Sequence, residues 1–275
     1  MTKVRQPSNM SQLHQSYHPL SVFMQRRITD SVPLITTLLF DCDNTLVLSE
    51  ELAFEACADI ANEILEKQGL SARYTGSQLI VDFVGQNFRG MMGALQSKYN
   101  FKLPQDELEG YVKEEENRVI AKLEAKARAC EGATEELAKL AASKKYELAV
   151  VSSSALRRVR ASIKKVDQER FFNHDHVFSA ATSLPTPTTK PDPAIYLHAL
   201  KVLDKAPGEC IAVEDSKSGT LSAIRSEIPV IAYVGCYEGK QKQEEMGKTL
   251  VDLGAKVVMK HWSEFEKCVA EIEAY

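Results

Sequence analysis

Leu38-Leu39-Phe40-Asp41-Cys42-Asp43-Asn44-Thr45-Leu46 is the stretch on which the fold turns. The apolar run that opens at Leu34 and Ile35 stops abruptly at Asp41. A short apolar run closed by polar residues suits a strand buried on both faces, as in a parallel sheet. Beyond it, Leu52, Ala56, Ile60 and Ile64 recur every fourth residue, one stripe of an amphipathic helix. Helical character continues through Leu79–Val84, Phe88–Leu95 and Leu108–Leu123, with no strand-like run before residue 146. An all-helical segment of roughly 75 residues thus interrupts what is otherwise an α/β pattern.

After that segment strand and helix alternate. Glu131–Ala142 reads as helix, Leu148–Val151 as a strand ending at Ser152, and Leu156 to Val166 as a basic helix. A short strand at Val177-Phe178 leads into a Pro/Thr-rich loop, Leu184–Thr189. Ala194–Leu203 is a helix with Pro193 suited to its first turn. Cys210–Val213 is a strand ending at Glu214-Asp215, followed by a helix at Gly219–Arg225 and a strand at Val230–Tyr233. Lys256–Met259 is read as a late edge strand, and Trp262, Phe265, Val269 and Ile272 as a final helix. The expected architecture is a doubly wound parallel α/β sheet, residues 34–49 and 130–275, with residues 50–129 inserted as an all-helical domain.

Doubly wound sheets bind ligands outside the carboxyl ends of their strands. Three strands each deliver capable groups at that end: Asp41 and Asp43, then Ser152, then Glu214 with Asp215. Lys190, in a loop entering a helix, can reach the same edge. So many carboxylates would repel one another, which implies a cation. Oxygen ligands suit Mg²⁺, and the absence of a thiol or imidazole cluster argues against zinc. Of two carboxylates so placed, one can serve as nucleophile and the other can handle protons. With Asp43 protonated, a phosphate dianion beside Asp41, Asp215, Lys190 and Mg²⁺ leaves a net charge of about −1, against about −4 without metal and lysine. The site is therefore suited to phosphoryl transfer.

Composition bounds the alternatives. The chain has 275 residues, 44% apolar and 26% charged, with a formal net charge of −4. No basic field is available for nucleic acid or an anionic membrane, and no apolar run is long enough to span one. The six cysteines show no CxxC spacing and are expected as free thiols. Residues 1–33 read as a flexible extension: no acid occurs in the first 29, and no signal-type apolar core follows the charges. A cytoplasmic location is expected; a mitochondrial presequence is the alternative for residues 1–29.

The sequence resembles the haloacid dehalogenase-like superfamily of phosphotransferases through four motifs in order. Leu38–Leu46 is similar to its DxDxT motif, Val150-Val151-Ser152-Ser153-Ser154 to the second, Lys190-Pro191-Asp192-Pro193 to the third and Ala212-Val213-Glu214-Asp215-Ser216-Lys217-Ser218-Gly219 to the fourth. The resemblance implies that Asp41 attacks phosphorus and forms an aspartyl-phosphate, and that Asp43 protonates the leaving oxygen and then deprotonates water. It implies that Ser152 and Lys190 hold the phosphoryl group, with Thr45 and Ser153 also at the substrate. Asp41, the Asp43 backbone carbonyl and Asp215 would ligate Mg²⁺, with Glu214 in support. The helical insert resembles the cap of β-phosphoglucomutase, phosphoglycolate phosphatase and sugar- or polyol-phosphate phosphatases. In that cap Gly85-Gln86-Asn87-Phe88-Arg89 looks like a GxxxR segment, which places Gly85 and Arg89 at the substrate.

The expected activity is hydrolysis of a small phosphorylated metabolite by a monomer or small homo-oligomer. A phosphomutase and a non-catalytic binding protein of the same fold are the alternatives. One departure from the family is Ser226-Glu227 before Ile228-Pro229, where Ala-Gly is usual; it alters a turn. Lys67 has no context that would make it a Schiff-base lysine. His174-Asp175-His176 reads as a surface loop. Arg157, Arg158, Arg160, Lys164 and Lys165 read as a solvated helix face.

Overall fold

The computed structural model describes residues 34–83 and 86–274. Its centre is β1 (Thr37–Phe40), buried on both faces as its uninterrupted apolar sequence requires. Leu38 and Phe40 point to one side of the sheet and Leu39 to the other. Around it run β4 (Glu147–Ser152), β5 (Val177–Ser179), β6 (Cys210–Glu214), β7 (Val230–Tyr233) and β8 (Val257–Met259). The six strands lie in the order β5-β4-β1-β6-β7-β8, every neighbouring pair parallel. The chain builds outward from β1 through β4 to β5, then crosses back to β6 and builds the other way. This is the doubly wound order, and its reversal point lies between β1 and β6.

Both faces are covered. On one, Phe40 packs against Phe172, Trp262 and Phe265 with ring centroids 5.8 to 6.2 Å apart. Helices α5 (Ala133–Ser143), α6 (Leu156–Lys165) and α10 (Phe265–Glu273) complete that layer. The other face carries α7 (Ala194–Leu203), α8 (Lys217–Arg225) and α9 (Lys240–Asp252) over Leu39, Val151, Ala212 and Ala232. Helix α9 is absent from the sequence reading because only Met246, Gly247 and Leu250 of its thirteen residues are buried. Glu227 occupies the left-handed region with φ 61°, where the family pattern has glycine. The departure at that turn is thus accommodated by backbone strain in place of a glycine.

The helical insert comprises α1 (Glu50–Lys67), α2 (Gly76–Asp82), α3 (Phe88–Tyr99) and α4 (Gln105–Lys126). Its own apolar cluster joins Ile60, Ile64, Leu79, Met91, Leu95 and Tyr111. The chain leaves and re-enters the α/β layer through a two-stranded antiparallel ribbon, β2 (Val47–Leu48) with β3 (Arg128–Ala129). Two-residue strands leave no periodicity to read, and the ribbon was not expected. Gly85 and the 1–33 extension lie outside the described residues. Among the described residues no helix is long and apolar enough to cross a membrane. All six cysteines are free.

The basic run on α6 is a solvated face at Arg157, Lys164 and Lys165, which are exposed, but not at Arg158 and Arg160. Arg158 and Arg160 have side chains only 22% exposed. Arg157 donates to Asn117 Oδ1 at 3.2 Å and pairs with Glu116 at 3.5 Å, both on α4. Arg158 turns toward Glu115 of α4, some forty residues upstream, so local composition could not reveal it, while Arg160 meets Glu169 and the His174 carbonyl. His174 is exposed on a single 3₁₀ turn, consistent with a surface loop. Lys67 ends α1, its Nζ donating to Tyr111 Oη at 2.8 Å.

Candidate active site

The carboxyl ends of β1 and β6 adjoin at the reversal point. Asp41 continues β1, its N–H donating to Val213 O at 3.0 Å. Glu214 ends β6 and Asp215 follows it. Each of Asp41, Glu214 and Asp215 offers one carboxylate oxygen, and these lie within 4.8 Å of one another. All three residues are buried. Lys190 reaches them from the loop before α7, its side chain 3% exposed. Nζ donates to Asp41 Oδ1 at 2.6 Å, Glu214 Oε1 at 2.6 Å and Val151 O at 2.8 Å, which uses all three of its protons.

Three buried carboxylates against one ammonium leave an excess of two negative charges when all are ionised. The consequence is visible in the acids. Burial pushes Asp41 up to about 8 despite the opposing field of Lys190. Burial, with the charges of Asp41 and Glu214, lifts Asp215 well above the carboxylate range. Burial alone would lower Lys190, but Asp41 and Glu214 together hold it above its ordinary value and charged. Two excess charges and an all-oxygen donor set fit one hard divalent cation. Glu214 Oε2 fits it as well: that atom is buried with no hydrogen-bond partner, a costly state for a carboxylate oxygen.

Glu214 is positioned from two further directions. Tyr196, one turn into α7, donates its hydroxyl to Glu214 Oε1 at 2.5 Å. Gly219 of α8 leaves room for the carboxylate, since a Cβ there would overlap it. Gly219→Ala is therefore expected to lower stability by about 1–3 kcal/mol through overpacking. Urea denaturation checks this; an unchanged midpoint would mean that Glu214 is free to move aside.

Asp43 sits apart from the acid cluster, held by hydroxyls. Ser49 donates to Oδ1 at 2.5 Å, and Ser154 and Ser152 donate to Oδ2 at 2.7 and 3.4 Å. The turn that places it is closed by the N–H groups of Leu46 and Val47, both donating to Cys42 O at 3.0 Å. Thr45, expected at the substrate, is fully buried and donates to Asp215 Oδ1 at 3.4 Å. Ser153, also expected there, accepts the Lys190 backbone N–H at 3.1 Å and so fixes the lysine loop. Arg89 forks its guanidinium onto Glu109 of α4 at 2.6 and 2.8 Å, and it also lines a cavity shared with Phe88, Met91 and Arg158. Ser49, Ser154 and Tyr196 were not singled out in the sequence. Ser49 carried only the signal of a helix start before Glu50-Glu51, and nothing in Ser152-Ser153-Ser154 says which hydroxyl turns toward Asp43.

A buried acid–lysine centre outside the carboxyl ends of a doubly wound sheet, at its reversal point, stands where an α/β enzyme places its site. The chain belongs to the haloacid dehalogenase-like hydrolase family, whose model matches residues 38–233. It is 28% identical over 223 residues to a phosphorylated carbohydrates phosphatase of Thermotoga maritima, covering 81% of this chain and 93% of that one. It is 28% identical over 204 residues to a 6-phosphogluconate phosphatase of Escherichia coli, covering 72% and 82%. A hydrolase of the same family from Entamoeba histolytica superposes with a TM-score of 0.68 at 22% identity, covering 87% and 100%, a likeness of fold.

Proposed function

We propose that the protein is a Mg²⁺-dependent phosphatase of a small phosphorylated metabolite, acting through an aspartyl-phosphate on Asp41. The observation that carries this reading is the single buried cluster in which Asp41, Glu214 and Asp215 exceed Lys190 by two charges. The names of the two relatives support a sugar- or sugar-acid-phosphate substrate.

An Asp41 carboxylate oxygen attacks phosphorus as the bond from phosphorus to the leaving oxygen breaks. Lys190 keeps Asp41 oriented and offsets the charge that gathers on the transferring group. Asp43, held by Ser49 and Ser154, gives its proton to the leaving alkoxide. It then takes a proton from water as that water attacks phosphorus, the acyl-phosphate bond breaks, and Asp41 and inorganic phosphate are released. Asp41, Asp215 and the Asp43 carbonyl would hold Mg²⁺ with Glu214 beside them, supplying positive charge against the phosphate oxygens. The helices of residues 50–129 act as the cap that surrounds the rest of the substrate.

Release of inorganic phosphate from a panel of sugar, polyol and glycolate phosphates tests the reading. Steady release that chelation abolishes is expected; none from any member with Mg²⁺ present would overturn it. Little net release, with dependence on a sugar bisphosphate, would mark a mutase.

A thermal measurement adds a check on the cation. In its absence the raised Asp41 and Asp215 bind protons more tightly folded than unfolded. Their contribution to stability is therefore full below the unfolded carboxylate range and lost as pH rises toward about 8. Saturating Mg²⁺ should raise Tm by several degrees, and by more near pH 8 than near about pH 6, because binding displaces those protons. Equal gains at both would contradict it.

A further inference from the structure

A cavity of about 310 Å³ lies between the helical insert and the α/β layer. Ala53 and Phe54 of α1, Phe88 and Met91 of α3, Glu115 of α4 and Arg158 of α6 are among its walls. Two of the helices that wall it, α1 and α6, begin beside the candidate active site. Ser49 and Ser154 both grip Asp43; Ala53 follows Ser49 by about one helical turn, roughly 6 Å, along α1, and Arg158 lies in the first turn of α6, which begins two residues after Ser154. A molecule whose phosphate stands at Asp41 would therefore extend its remaining atoms into this space.

Arg158 is half-buried and its guanidinium is poorly partnered. Its Nε is buried with no hydrogen-bond partner. Its nearest acid, Glu115 Oε1, is 3.7 Å from Nη1, beyond hydrogen-bonding distance. Among the described residues the guanidinium makes no hydrogen bond at all, although Arg89, Arg118 and Arg157 nearby each make at least one. Glu115 is itself taken up by Cys57, whose thiol donates to Oε1 at 3.5 Å, and burial raises its pKa. A buried donor left without an acceptor is costly, and it is relieved when an oxygen-bearing group arrives.

We propose that Arg158 is a specificity-determining residue that receives a carboxylate at the end of the substrate remote from the phosphate, so that the preferred substrate class is phosphorylated sugar acids. The proposal rests on the phosphatase reading and deepens it. A guanidinium fork matches the two coplanar oxygens of a carboxylate. A carboxylate brings one charge against the adjacent Glu115 where a second phosphate would bring two, and Arg89, which lines the same cavity, is already paired with Glu109. Phe54, Phe88 and Met91 line the path for the carbon chain between the two ends.

The test compares kcat/KM for gluconate 6-phosphate, sorbitol 6-phosphate, a sugar bisphosphate and p-nitrophenyl phosphate in the wild type, Arg158→Gln and Arg158→Lys. The first two share a carbon chain and differ in one terminal carboxylate. The wild type is expected to favour gluconate 6-phosphate over sorbitol 6-phosphate by about 10-fold or more. Arg158→Gln should bring that ratio close to one, and Arg158→Lys, which keeps the charge without the fork, should leave it in between. A wild-type ratio near one, a preference for the bisphosphate, or a loss in the variants that is uniform across substrates would overturn the assignment. If p-nitrophenyl phosphate is hydrolysed but no carboxylate preference is seen, only this inference fails. If no phosphate ester is hydrolysed, the phosphatase reading fails and takes the inference with it.

Discussion

Asp41→Asn is expected to reduce phosphate release by at least about 10⁴-fold, the scale on which removal of an enzymatic nucleophile is felt. The amide has nearly the shape of the carboxylate but cannot attack phosphorus and return as a leaving group. The fold should survive, because Lys190 keeps Glu214 Oε1 and Val151 O as partners and the cluster loses one of its excess charges. Circular dichroism would verify folding while a phosphate assay reads turnover. Acid quenching with a radiolabelled substrate adds a direct observation: label stays on wild-type protein and not on the variant. Retention of more than a few per cent of turnover would remove Asp41 from the chemistry.

Lys190→Met should be the most destabilising single change in this centre. Methionine keeps the length and apolar stem but leaves Asp41 and Glu214 buried without their counter-charge. Breaking a buried pair on one side costs about 3–5 kcal/mol, which for a chain of this size is a drop in Tm on the order of 10 °C. Turnover should vanish as well. A double variant separates the two effects. Adding Glu214→Leu to Lys190→Met removes one stranded acid, so part of the stability should return while activity does not. A Lys190→Met protein as stable as the wild type would mean that the carboxylates take up protons at little cost, and that the lysine is held for chemistry alone.

The sheet and its acidic edge were legible because buried parallel strands are written as continuous apolar runs. Leu38–Phe40, Leu148–Val151 and Cys210–Val213 each end in a polar residue at the position where the strand ends. What sequence could not convey is pairing across the fold. Nothing local distinguishes Ser154 from Ser153, yet one turns to Asp43 and the other to the Lys190 loop. Arg158 looked solvated because the acid it faces belongs to α4. Thr45, in a motif that suggested contact with substrate, is sealed behind Asp215. Helix α9 escaped notice for the opposite reason: most of its surface faces water, and a nearly all-polar helix has no stripe to detect.

Ser49 has two duties at one point, since it opens α1 and clasps Asp43 at 2.5 Å. Because one residue does both, any displacement of α1 at this end would also shift the carboxylate proposed to serve the leaving oxygen, so the seating of the insert and the aim of that acid are tied together.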